Sequence, residues 1–165
     1  MCILFGILNA ITVNQKYPDY KCENHMIDEH FELNGLMYQI SDFRIYEHND
    51  FTHKYSLVQS DENQVNMVLK MSVINYSSTD QYIPVDEFIL ESGGWDSNVN
   101  VEYFCALNEI ENYRIVVNSN DNVELLLTYC YYDLYDDKAD IGELSEKKFL
   151  LNMYLSYPSK VSVEL

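Results

Sequence analysis

Apolar and polar residues alternate along much of this chain, a pattern typical of strands that bury one face. The clearest stretch is residues 64–76, where apolar side chains occupy positions 65, 67, 69, 71 and 73 and positions 66, 70 and 72 are polar. A second stretch, residues 35–47, alternates and then changes phase near Asp42, which predicts a β-bulge there. After the N-terminal segment, no stretch keeps a helical period over ten or more residues.

Turn-forming residues separate these strands at intervals of ten to fifteen residues. They include NYSSTDQ (75–81), ESGGWDSN (91–98) and NSNDN (118–122). Pro84 indicates that the strand around it lies at an edge or starts late. We predict a loop with room for a helical turn at 48–57 and a short strand at 101–108. The spacing predicts an all-β fold, an immunoglobulin-like β-sandwich of about seven or eight strands.

The chain opens with an apolar run, residues 1–13, followed by a polar segment with a proline. A membrane-spanning helix needs about twenty apolar residues, and a secretion signal begins with basic residues, whereas the first basic residue here is Lys16. Two interpretations stay open, an ordinary β-strand and the second half of a transmembrane helix. Apolar and polar residues do not alternate in this run, which favours the transmembrane helix. We therefore predict a partial transmembrane anchor at 1–13, a tether at 14–31 and the folded domain at 32–165.

The charge and the cysteines narrow the classes of function. Ten Lys and Arg stand against twenty-seven Asp and Glu, a net charge of −17. Such a chain is repelled by nucleic acid and by anionic lipid, so we expect no nucleic-acid partner and membrane contact through the anchor alone. The four cysteines form no C-x-x-C motif. Cys105 and Cys130 stand in apolar runs and are predicted to be buried free thiols.

Several segments together resemble a known group of proteins. They are VNQKYP after the apolar run, GLMYQISDFRIYE, MVLKMSVINYSSTDQYIPVDEFILESGGW, NSNDN before VELLLTY, and LNMYLSYPSKVSVEL. Over residues 11–165 the chain resembles membrane-anchored proteins of Gram-positive bacteria that have no known function and carry an extracytoplasmic immunoglobulin-like domain. It is also similar to immunoglobulin-like domains of bacterial lipoproteins, in which a long strand ends in Asn-x-(Ser/Thr), here Asn75-Tyr76-Ser77. The resemblance implies the fold, the anchor and the side of the membrane, and it brings no catalytic residues.

Two polar clusters contain residue types that bind metal ions. Glu47, His48 and His53 combine carboxylate and imidazole, and Asp136, Asp137 and Asp140 form an acidic loop suited to Ca²⁺. Neither follows the spacing of a zinc-protease motif or an EF-hand, so exposed surface side chains are the simpler interpretation. No G-x-S-x-G, S-x-x-K or phosphate-binding glycine loop occurs. We predict no catalytic residues, no cofactor and no enzymatic activity.

Aromatic side chains supply the candidate contacts with a partner. Trp95 follows two glycines and is predicted to lie on a loop, where it either folds back onto the sandwich or meets a partner. Tyr129, Tyr131 and Tyr132 form a tyrosine-rich strand with one face available for binding. The sequence thus predicts a single-pass, membrane-tethered extracytoplasmic module that binds a protein or a cell-envelope component. The alternatives are an accessory subunit of an envelope transport or secretion system, and a sensor of a small ligand or metal.

Overall fold

The structure, a computed structural model, describes residues 21–57, 64–132, 141–156 and 159–165, with only the backbone described at 154–156. The predicted anchor, residues 1–13, lies outside the described residues. Within them, strands form two larger sheets that face each other and one small ribbon. The predicted all-β sandwich is confirmed.

The first sheet holds five strands. They are β1 (Lys21–Met26), β6 (Ile89–Ser92), β7 (Trp95–Asn98), β10 (Leu150–Ser156) and β11 (Ser159–Glu164). Their spatial order is β1-β11-β10-β6-β7. β1 runs parallel to β11, whereas the other neighbours in this sheet are antiparallel. β7 therefore forms one edge of the sheet.

The second sheet holds four antiparallel strands. They are β2 (His30–Leu33), β3 (Leu36–Glu47), β4 (Gln64–Ile74) and β9 (Asn122–Tyr132), in this spatial order. The pairing of β3 with β4 shifts between Ile40 and Asp42, so the predicted bulge is confirmed. β4 and β9 pair along eleven residues without a shift, from Gln64 opposite Tyr132 to Ile74 opposite Asn122. β9 forms the edge of this sheet.

The hydrophobic core lies between the two sheets. β4 contributes all five apolar side chains that its alternation assigned to one face, and each is at most 3% exposed. The first sheet contributes buried side chains to the same core, including Leu90, Leu151, Val161 and Val163. Burial of this apolar surface is the main stabilising contribution to the fold.

A two-stranded ribbon closes one end of the sandwich. β5 (Gln81–Ile83) pairs antiparallel with β8 (Ile115–Val117). Pro84 ends β5 as expected from its lack of an N–H group, and a single 3₁₀ turn (Val85–Glu87) leads to β6. Ile83 and Val85 are fully buried and fix this end to the core.

Three short helices complete the described chain: α1 (His48–Tyr55), α2 (Val101–Leu107) and α3 (Ile141–Ser145). The predicted strand at 101–108 is wrong, because this segment is α2. The side chain of Asn100 accepts a hydrogen bond from the N–H of Tyr103 at 3.0 Å and caps the helix. α1 and α2 bury Phe51 and Tyr103 against the outer face of the second sheet, beside Val68 and Cys130.

Two further predictions need correction. The described residues form eleven strands, not seven or eight, because β5, β7 and β8 are three or four residues long and give little alternation. The tether was predicted to extend over residues 14–31, but Lys21–Met26 form β1, paired with β11. Polar side chains on β1 hid this strand, since only His25 of its six residues is buried.

Candidate functional site

An open groove of about 430 Å³ lies where the edge strands of the two sheets come together. One wall belongs to β7 and the residues after it, and the other to the last residues of β9. The lining residues are Trp95, Asp96, Ser97, Asn98, Asn100, Cys130 and Tyr132. The groove thus combines aromatic rings with amide, hydroxyl and carboxylate groups, a mixture typical of binding sites.

A tight turn positions Trp95 at the first residue of β7. Gly93 and Gly94 join β6 to β7 and have φ angles of 55° and 92°, which side chains with a Cβ rarely adopt. Trp95 was predicted on a loop, but it starts the strand and packs its ring 5.1 Å from Tyr131 and 6.3 Å from Phe149. The indole is half-buried, so it is anchored in the sandwich while it still lines the groove.

Helix α2 covers the middle of the β9 edge with two asparagines. The backbone N–H of Asn100 donates to the carbonyl of Thr128 at 2.7 Å, and the Thr128 hydroxyl donates back to the carbonyl of Asn100 at 3.0 Å. At the other end of the helix, the Asn108 amide donates to the carbonyl of Leu126 at 3.0 Å and accepts from its N–H at 2.9 Å. Asn108 thereby replaces a neighbouring strand, and edge pairing is blocked here.

Cys130 lies at the floor of the groove in its thiol form. It is 7% exposed, and the Asn100 amide donates to its Sγ at 3.2 Å. Burial raises the pKa of the Cys130 thiol, although hydrogen bonds to Asn100 and Tyr132 act in the opposite direction. A thiol with a raised pKa is a poor nucleophile, so this cysteine is a packing residue of the groove. Cys105 and Cys130 are both free, as predicted, and Cys105 is only partly buried.

The predicted tyrosine contacts divide between the two faces of β9. Tyr129 is fully buried in the core and is unable to meet a partner, so this prediction is wrong. Tyr131 is half-buried against Trp95, and the ammonium of Lys147 lies 5.6 Å from its ring centroid. Tyr132 points to the opposite face from Tyr131, is 48% exposed and lines the groove.

The predicted cluster of Glu47, His48 and His53 is not brought together as a site. Within the described ranges, no group of three His, Cys, Asp or Glu side chains has the arrangement of a metal site. His48 and His53 are five residues apart on α1 and so point to different sides of the helix, one buried and one exposed. Asp136, Asp137 and Asp140 lie outside the described residues.

His48 takes part in a buried polar network instead. It is 2% exposed, and its Nδ1 lies 2.8 Å from Nε2 of Gln64 and 3.1 Å from Nδ2 of Asn66. Both amide groups donate, so Nδ1 accepts and its lone pair is already used. Gln64 also donates to the hydroxyl of Tyr103 at 3.0 Å, which ties α1 and α2 to β4.

The sequence did not lead us to predict Asn98 and Asn100 as site residues. The available signal was the asparagine before an apolar stretch, where Tyr103, Phe104 and Leu107 have helical spacing. Recognition of that N-cap would have placed a helix, not a strand, beside β9. In the part of the chain that the structure describes, no helix is long and apolar enough to cross a membrane.

Solved structures confirm the architecture of the sandwich. An uncharacterised β-sandwich protein of Clostridium difficile is 10% identical, with a TM-score of 0.54 over 89% of this chain and 96% of that chain. A candidate lipoprotein of Bacillus subtilis is 15% identical, with a TM-score of 0.51 over 82% of this chain and 38% of that chain. A conserved hypothetical protein of Bacillus anthracis is 7% identical, with a TM-score of 0.54 over 77% of this chain and 87% of that chain. At these identities the likeness shows the fold alone.

No functionally curated protein matches this chain. A family match covers residues 20–160, which includes every described strand except most of β11, and the whole groove from Trp95 to Tyr132. The chain therefore belongs to the family described as domain of unknown function DUF5028.

Proposed function

We propose that this protein is a non-catalytic binding module, tethered to the membrane on its extracytoplasmic side, that recognises a protein or a cell-envelope component. The observation that carries the proposal is the groove between β7 and β9. Its two aromatic side chains, Trp95 and Tyr132, flank the amides of Asn98 and Asn100. Exposed aromatic rings beside fixed polar groups are the usual composition of a recognition surface.

The construction of the groove supports recognition over catalysis. Asn100 is held by three hydrogen bonds of 2.7–3.0 Å to Thr128 and Tyr103, so its amide is fixed in place. A pre-ordered polar group loses little conformational entropy when a ligand binds. The one thiol among the lining residues is that of Cys130, and burial raises its pKa, so it stays protonated at neutral pH.

The anchor and the side of the membrane follow from the apolar N-terminal run and from the resemblance to anchored extracytoplasmic domains. One of the structures that share the fold is a candidate lipoprotein, which agrees with a domain held on the extracytoplasmic side of the cell membrane. The acidic charge fits a soluble domain that does not adhere to anionic lipid.

Binding in the groove is testable by intrinsic fluorescence, because Trp95 is the single tryptophan of the chain. Soluble cell-wall fragments would be titrated into the protein while Trp95 emission is recorded. We expect a saturable change, and Tyr132→Ala should weaken it about tenfold, as removal of a central contact does. Met26→Ala is the matched control, since Met26 is 56% exposed on β1 and lies outside the groove. Absence of a saturable change, or equal losses in both variants, would refute the groove as the contact surface.

A protein partner would be detected by a photo-crosslinking amino acid placed at Tyr132 in living cells, with the same amino acid at the exposed Met26 for comparison. An adduct specific to position 132 supports the proposal, and identical adducts at both positions contradict it.

The side of the membrane is testable through Cys22, which is exposed on β1. A membrane-impermeant maleimide should label the protein in intact cells, and Cys22→Ser should remove most of that label. Labelling that requires cell lysis would contradict the extracytoplasmic location.

A further inference from the structure

The outer face of the β5–β8 ribbon carries an unusual concentration of exposed apolar side chains. Tyr82 and Val116 are cross-strand neighbours, 46% and 56% exposed. Tyr76, 69% exposed, lies in the adjacent loop. Six large hydrophobic side chains are exposed in the described ranges, so half of them gather at this end of the sandwich. Exposed apolar groups concentrated in this way mark an interaction site.

A second groove, of about 400 Å³, lies on this ribbon. It is lined by Tyr82, Asp86, Tyr113, Arg114 and Val116. The Tyr82 hydroxyl donates to Oδ1 of Asp86 at 3.3 Å, which orients both the ring and the carboxylate. The volume of this second groove lies within the range of small-ligand pockets, roughly 300–1,000 Å³.

Arg114 supplies the positive charge of this groove, and Asp86 supplies a negative one. The chain has two arginines, and the other, Arg44, is paired with Asp42 at 2.8 Å. Among the described residues, no carboxylate lies within 4.0 Å of the Arg114 guanidinium. In a chain of net charge −17, an arginine that has no ion-pair partner within the described ranges and lies beside two tyrosine rings is suited to an anionic ligand group.

The ribbon is held rigidly, so the groove is formed before a ligand arrives. Ile83, Val85 and Val117 are at most 2% exposed and anchor the ribbon in the core. The buried amide of Asn75 donates to the carbonyl of Val117 at 2.9 Å. Because these contacts fix the backbone that carries Tyr82 and Val116, less conformational entropy is lost on binding.

We propose that this groove binds a sugar that carries an acidic group, a carboxylate or a phosphate. The rings of Tyr82 and Tyr113 offer apolar faces to a sugar ring. The Asp86 carboxylate accepts hydrogen bonds from sugar hydroxyls, and the Arg114 guanidinium binds the acidic group with two parallel hydrogen bonds.

This site is separate from the groove of the proposed function. The ribbon lies near Asn122, the first residue of β9, whereas the other groove lies at Tyr132, the last. An eleven-residue strand extends over about 34 Å. Binding at the ribbon should leave Trp95 emission unchanged, so failure of one proposal is distinguishable from failure of the other.

The test is a titration with four probes, glucose 1-phosphate, glucuronate, glucose and inorganic phosphate, followed by backbone amide NMR shifts. We expect shifts around residues 82–86 and 113–116, with at least one acidic sugar bound about tenfold more tightly than either glucose or phosphate. Arg114→Gln should reduce the affinity for that sugar to the level of glucose. Tyr82→Ala should also weaken binding, and Arg44→Gln, at an exposed arginine elsewhere, should not.

Three outcomes would overturn the proposal. One is an absence of shifts with both acidic sugars at about 10 mM. Another is phosphate that binds as tightly as the tighter of the two acidic sugars, which would show an adventitious ion only. The third is an equal loss of affinity in Arg114→Gln and Arg44→Gln. Because neither arginine is buried, both variants are expected to fold, and their amide spectra verify this directly.

Discussion

Asn75 connects the β5–β8 ribbon to the end of β4, and its replacement should be among the most destabilising in this domain. Its side chain is fully buried. The amide Nδ2 lies 2.8 Å from the carbonyl of Thr79, 2.9 Å from that of Val117 and 3.1 Å from that of Asn118. Its Oδ1 accepts from the backbone N–H of Ser77 at 2.9 Å and from the Ser77 hydroxyl at 2.7 Å. The Asn75 side chain thus joins its own loop to the end of β8, more than forty residues along the chain.

The expected magnitude follows from these contacts. The two amide protons are shared among three carbonyls, so Asn75 makes four to five hydrogen bonds, each with a net contribution of about 1 kcal/mol. In Asn75→Ala, water can replace some of the hydrogen bonds that the carbonyls lose. We therefore expect the free energy of unfolding to fall by about 2–4 kcal/mol, from a total of roughly 5–15 kcal/mol. Asn75→Asp should be at least as destabilising, because its carboxylate would face three carbonyls without a proton to donate.

Equilibrium unfolding in urea, followed by Trp95 emission, measures this loss. Trp95 contacts Tyr131 and Phe149 in the sandwich, so its emission reports unfolding. The expected change lowers the urea midpoint by about 1–2 M. Asn118→Ala is the matched control, since Asn118 is exposed and offers its backbone carbonyl alone to Asn75; it should stay within about 0.5 kcal/mol of wild type. An Asn75→Ala or Asn75→Asp protein as stable as that control would show that the Asn75 hydrogen bonds do not stabilise the domain.

Three further predictions concern β9 and the cysteines. Tyr129→Phe should leave stability unchanged or raise it by about 1 kcal/mol in urea unfolding, because the buried hydroxyl has no hydrogen-bond partner among the described residues; a clear loss of stability would reveal one. Burial raises the Tyr129 pKa, so stability should fall as pH rises above the unfolded value near 10, and Tyr129→Phe should flatten part of that fall. Asn108→Ala should cost about 1–3 kcal/mol and expose the edge at Leu126, giving concentration-dependent association in sedimentation velocity; a stable monomer would contradict this. Iodoacetamide should alkylate Cys22 well before Cys130, as measured by peptide mass spectrometry. Equal rates of alkylation would contradict the burial of the Cys130 thiol.

Much of the second sheet was predictable because its signal is local. Side chains at every second position of β4 face the core, so the alternation from Val65 to Val73 identifies both the strand and its buried face. The bulge near Asp42 was visible for the same reason, since one extra residue reverses the phase of the pattern.

The remaining features depend on contacts between distant parts of the chain. β1 carries polar side chains and is a strand because β11 pairs with it along six residues. α2 contains Val101, Tyr103 and Phe104, residue types that favour strands, and its cap together with packing against β9 decides for a helix. Tertiary context overrode local preference in both cases.

The candidate site was only partly predictable for the same reason. Trp95 and Tyr132 were singled out by residue type, but they come from the edges of different sheets, and sequence does not show that the two edges meet. Tyr129 and Tyr132 look equivalent in the sequence, although one is fully buried and the other 48% exposed. Both faces of β9 are covered over part of its length, so its sequence pattern does not show which tyrosines are accessible.

The most direct test of the account is a map of backbone amide shifts when soluble cell-wall fragments are added to the isotope-labelled protein. We expect shifts that cluster at residues 95–100 and 130–132, the two walls of the groove, and that are lost in Tyr132→Ala. An absence of shifts at both walls, while other surfaces respond, would contradict the assignment of the groove as the recognition surface.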